Sequence, residues 1–207
     1  MKSLNQYISE GIGGSFSRPT ILHFKNIYAW LLYQCEYSGQ ISDGKYENAK
    51  PTYHWEWLRN ATCVIDGREY YEGPTHIKRY TFSSWDKDIK GALEGKSSDY
   101  DFAVRDFDYC RLASIFSPSK VESLVKEDTY KFMAVAEAWG NAVRNNWDFE
   151  TMMQRSSSYQ LSKLTHSTIN NEKNFQYFVE SKYSFRDFVD ARKSAEATIN
   201  TFINDAK

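Results

Sequence analysis

The spacing of apolar positions changes several times along the chain, and each change marks a different element. Leu4, Tyr7 and Ile8 fall at i, i+3 and i+4, one face of a short amphipathic turn within MKSLNQYISE. The run Gly11-Ile12-Gly13-Gly14-Ser15 interrupts that face, so residues 1–14 read as a leader-like segment with a flexible joint. Residues 15–207 read as one globular domain. From Pro19 and Thr20 onward, Ile21, Phe24, Ile27, Tyr28, Leu31, Leu32 and Cys35 follow a helical stripe, which predicts a helix over about 19–37.

The period then shortens to two. Residues 61–65 and 68–71 flank Asp66-Gly67, the dipeptide that best fits a two-residue hairpin turn. Residues 76–82, HIKRYTF, alternate and predict a third strand, and Ser84 is placed to cap a short helix over 85–93. Residues 100–112 fit strand and helix equally well. From Ser117 the helical period returns. Pro118 suits a first turn, and Ser119-Lys120-Val121-Glu122 matches a capping box. Phe132, Val135, Ala136, Trp139 and Val143 lie on one stripe of a helix over 129–145. Further helices are expected over 148–155, 158–165, 171–181 and 185–205. The expected class is α+β and predominantly α-helical, with a hairpin or three-stranded sheet near 61–82 and a helical C-terminal half.

Composition narrows the function classes. With 41% hydrophobic and 26% charged residues the chain can bury a core, which sets it apart from disordered segments. A net charge of −1 lacks the basic excess of a nucleic-acid binder, so nucleic acid is not an expected partner. No apolar run approaches the roughly 20 residues that span a bilayer, and the opening residues lack the apolar core of a secretory signal. Cys35, Cys63 and Cys110 are odd in number and widely spaced, which predicts buried thiols in a reducing compartment rather than a disulfide framework or a zinc site. Aromatic residues reach 16%, enough both to fill a core and to anchor an interface.

The densest polar constellation is the stretch 38–55. It holds Asp43, Glu47, Asn48 and His54 between two aromatic-rich segments. Asp43 and Glu47 could share one face of a turn, and with His54 they are the first residues to test for acid–base catalysis. Together with Asn48, Trp55 and Trp57 they form the candidate binding set. The structural alternative is that Asp43-Gly44 is only a turn, Glu47 and Asn48 cap the next element, and His54 is packed. The pattern SDG-x-aromatic-EN…HW is similar to a stretch in uncharacterised phage proteins.

Other catalytic signatures are incomplete. His166-Ser167-Thr168 is a single H-x-T, His76-Ile77-Lys78 lacks the hydroxyl residue, and His23 falls inside the helix expected over 19–37. No metalloprotease, phosphate-loop, dinucleotide or nucleophile-elbow motif is present. The segment 80–86, YTFSSWD, resembles the central strand motif of ADP-ribosyltransferases, with Arg79 or Arg68 as the arginine that family places upstream. The Glu-x-Glu that should follow on a later strand is missing.

MKSLNQYISE followed by Gly11 resembles the capsid-targeting leader of internal head proteins in T-even-like phages. Met1, Lys2, Tyr7, Ile8 and Glu10 carry the resemblance, over about ten of 207 residues. It implies a phage origin and cleavage by a prohead protease between Glu10 and Gly11. The expected function is that of a phage accessory protein, head-packaged and injected, that binds and inhibits a host protein such as part of a defence system. Its place would be the host cytoplasm or the virion. No cofactor and no metal are called for. The rival expectations are a small enzyme built on 43–54, with or without a metal, and a structural or connector protein of the virion.

Overall fold

The computed structural model describes residues 21–34, 62–65, 68–70 and 102–205. Among them the chain is predominantly helical, with one small three-stranded sheet, as the sequence leads one to expect. Strands β2 (Thr62–Ile65) and β3 (Arg68–Tyr70) pair antiparallel with Ile65 opposite Arg68, so two residues, Asp66 and Gly67, connect them. Among the described residues β2 has a further neighbour, β1 (Ile21–Phe24), which pairs parallel to it with Leu22 opposite Cys63 and Phe24 opposite Ile65. Residues 76–82 and 85–93 lie outside the described residues.

β1 corrects the helix expected over 19–37. Ile21, Leu22, His23 and Phe24 alternate exposed and buried, and Ile21, counted in the helical stripe, is 49% exposed. Helix α1 (Ile27–Leu32) begins only after Asn26, whose side chain accepts a hydrogen bond from the Ala29 amide at 3.0 Å. The spacing of Phe24, Ile27, Tyr28 and Leu31 suits a helix, but Leu22 and Phe24 also suit a strand. The pairing partner 41 residues downstream decides between them, since it satisfies the backbone of β1.

Helix α2 (Phe102–Ala113) resolves the ambiguous segment. Val104, Asp106, Phe107, Asp108, Tyr109, Cys110, Leu112 and Ala113 are all buried. A helix enclosed on nearly every side shows no single apolar stripe, which is why its period was illegible. It packs against α1 and against α3 (Pro118–Arg144).

Helix α3 starts at Pro118 with Ser117 as its cap, two residues ahead of the capping box expected at Ser119. It breaks at Asp128, whose backbone leaves the helical region (φ −160°, ψ 98°) and whose carboxylate caps the Lys131 amide at 3.0 Å. The second segment therefore begins at Thr129, as its apolar stripe suggests. It ends in a Schellman motif. Asn146 adopts φ 53°, and the Trp147 amide reaches back to the Ala142 carbonyl at 2.8 Å.

Helices α4 (Phe149–Arg155), α5 (Ser158–Thr165), α6 (Glu172–Val179) and α7 (Phe185–Asp205) follow close to their expected positions. Asp148, Ser157 and Asn171 cap the first three through their side chains. Ser184 and Asp187 form a reciprocal cap on α7. The core centres on Trp139, fully buried, with Phe175 and Phe178 packed edge-on against its ring. Its indole nitrogen donates to the Asn170 side-chain oxygen at 2.8 Å.

Candidate functional site

Asp43, Glu47, Asn48, His54, Trp55 and Trp57 lie outside the described residues, as do the leader-like residues 1–10 and the segment 80–86. Two of the histidines are placed. His23 sits in β1 rather than in a helix, with its side chain exposed, and His166 is the exposed C-cap of α5. His166-Ser167-Thr168 thus follows a helix and does not form the strand motif that a two-histidine phosphoesterase requires. Cys63 and Cys110 are buried thiols, as their spacing predicts. Among the described residues no three His, Cys, Asp or Glu side chains cluster in a way that could hold a metal, and no helix is long and apolar enough to cross a membrane.

A cleft of about 630 Å³ opens where the β1–α1 junction, the end of α2 and the α6–α7 link meet. Lys25, Tyr28, Ser114, Lys182, Tyr183 and Asp187 are among its lining residues. Its wall is aromatic. The Tyr28 and Tyr183 rings lie 4.9 Å apart between centroids, and Tyr183 continues to Phe107 at 5.8 Å, so the cleft is backed directly by the core. Burial raises the Tyr183 phenol far above its usual range, and the Cys110 thiol beside it adds to the effect. Tyr28 is raised for the same first reason, with Cys110 and Asp187 contributing. Both phenols are therefore neutral at physiological pH.

The other wall is held by a chain of hydroxyls. Ser114 Oγ donates to the Arg111 carbonyl at 2.7 Å, which leaves Ser181 as the donor across the 2.8 Å contact between the two serine oxygens. Ser181 Oγ in turn accepts from the Tyr183 amide. The α6–α7 link is thereby tied to the end of α2. Asp187 is held below the usual carboxylate range by the Ser184 hydroxyl and amide.

Between α2 and α3, Asp108 is buried and receives both guanidinium nitrogens of Arg144, at 3.0 and 2.9 Å. Burial pushes the Asp108 carboxyl up to about 6, outweighing the lowering by Arg144 and then by Arg111. Arg111 donates to the Phe178 and Val179 carbonyls at 3.1 and 3.0 Å and lies over the Phe178 ring at 4.6 Å. It ties α2 to the C-terminal end of α6, adding a bond to the Phe178 carbonyl, which also accepts from the Ser181 amide at 3.2 Å, and one to the Val179 carbonyl in the last turn. These contacts are closed on themselves and serve the fold.

A second surface forms at the Asp128 break. Tyr130 is 48% exposed and Tyr159 is 67% exposed. The Lys163 ammonium lies over both rings, 5.6 and 5.9 Å from their centroids, and 4.0 Å from the Asp128 carboxylate. Two large amphipathic rings are thus held in the open by one cation.

Neither surface is legible in the sequence. Lys25 and Tyr28 stand more than 150 positions from Lys182 and Tyr183, and no local motif joins them. No known protein family, curated protein or solved structure matches the chain.

Proposed function

We propose that this chain is a phage-encoded accessory protein, packaged in the head and delivered with the DNA, that binds and inhibits a host protein such as a component of a defence system. The observation that carries the binding mode is the exposed pair Tyr130 and Tyr159 around Lys163. Tyrosines concentrate at protein interfaces because each offers a large rigid area and a polar tip at little cost in conformational entropy. Leaving two such rings in water, steadied by a shared cation, suits a surface kept ready for a partner. The phage origin and the packaging rest on Met1, Lys2, Tyr7, Ile8, Glu10 and Gly11, whose order is that of a head-protein leader.

Two measurements test the reading separately. Mass spectrometry of purified virions should find the chain with Gly11 as its first residue; its absence from virions overturns packaging. A photo-crosslinking phenylalanine analogue at position 159, in the full chain during infection, should trap one host protein. The pair Tyr130→Ala and Tyr159→Ala should weaken that complex at least about tenfold, the scale of interface anchors. No trapped partner, or an unchanged affinity, overturns the binding role.

A further inference from the structure

We propose that the cleft between the β1–α1 junction and the start of α7 binds a small zwitterion of the free amino-acid class. Four charged side chains share its rim, Lys25 and Lys182 with Asp187 and Asp190. Among the described residues none of the four is in an ion pair with another. Exposed opposite charges gathered around one concavity would ordinarily pair where their stems allow it. Held apart, they present two donors of positive charge and two carboxylates to whatever enters.

A ligand of one sign would meet repulsion from half of this rim. A ligand carrying an ammonium and a carboxylate on neighbouring atoms would satisfy both halves. Asp187 is prepared for this. Both hydrogen bonds to its carboxylate fall on Oδ2, which leaves Oδ1 for an incoming ammonium. Asp190 follows it by three positions on α7, on the same helix face. The Tyr28 ring, backed by Tyr183, offers a flat surface for an apolar or aromatic side chain. The volume, about 630 Å³, lies within the range of small-molecule sites. The serine chain from Arg111 to Tyr183 fixes the α6–α7 link before the ligand arrives, which lowers the cost of ordering the site.

The test uses the full chain and L-phenylalanine as the probe, read by saturation-transfer NMR and calorimetry. N-acetyl-L-phenylalanine removes the ammonium, and L-phenylalaninamide removes the carboxylate. The free amino acid should bind, and each blocked form should bind at least about tenfold more weakly. Lys182→Gln and Asp190→Asn, both at exposed positions, should each weaken the free amino acid about tenfold or more while circular dichroism stays unchanged. If Lys182→Gln alters the fold, Lys25→Gln takes its place. Equal binding of the blocked forms, binding untouched by both charge substitutions, or no binding at millimolar amino acid overturns the proposal.

Discussion

Gly140 and Asp108 occupy what would otherwise be the same space. A Cβ placed on Gly140 would lie 2.0 Å from Asp108 Oδ2 and 2.2 Å from its Cγ. The absence of a side chain on α3 is what lets the buried carboxylate of α2 turn toward Arg144. Gly140→Ala should therefore destabilise the protein by about 2–4 kcal/mol, despite the gain in helix propensity, because the carboxylate is held by two bonds and cannot step aside. Chemical denaturation checks it. A neutral or stabilising outcome would mean that the two helices can separate at no cost.

The Asp108–Arg144 pair makes a pH-dependent prediction. Asp108 titrates near its ordinary value of 3.8 when unfolded and at about 6 when folded. The folded state binds the proton more tightly, so the contribution of this group is fully present below about pH 4 and is lost as pH rises through about 6. Removing the arginine should enlarge the effect. Arg144→Met should cost about 3–5 kcal/mol at pH 7.5, where it strands a buried carboxylate, and distinctly less at pH 4.5, where the carboxyl is protonated. Unfolding curves at the two pH values decide it, and a larger cost at the lower pH refutes it.

Arg111 joins two helices through a fork and a stacked ring. Arg111→Lys keeps the charge but cannot reach both the Phe178 and Val179 carbonyls or lie flat on Phe178. A loss of about 1–2 kcal/mol is expected. Amide exchange should quicken first at the end of α6, and a uniform loss of protection would point to a different role.

The helix boundaries can be tested one cap at a time. Asn26→Ala removes the acceptor for the Ala29 amide at the junction that separates β1 from α1. It should cost about 1 kcal/mol, as should Asp128→Ala at the break in α3. The Asp128 change should also let α3 straighten and alter the setting of Tyr130, seen as a shift in its ring resonances.

Local chemistry by itself determined a good deal of this fold. The Asp66-Gly67 hairpin, the restart of a helix at Thr129, the caps at Asp148 and Asn171 and the long final helix all rest on neighbours within a few positions. Such signals survive in a sequence because the hydrogen bond and the residue that makes it lie in the same turn. Tertiary structure decided the rest. Residues 21–24 became a strand because β2 supplies the backbone partners for β1. Residues 102–113 became a helix without a stripe because neighbours enclose them and pair their charges, Asp108 with Arg144 among them. The cleft gathers Lys25 and Tyr28 with Tyr183 and Asp187 only because α7 packs on α1 and β1, and no spacing along the chain encodes that meeting. Burial and pairing across long separations are properties of the packed molecule, and they placed every group on which the cleft depends.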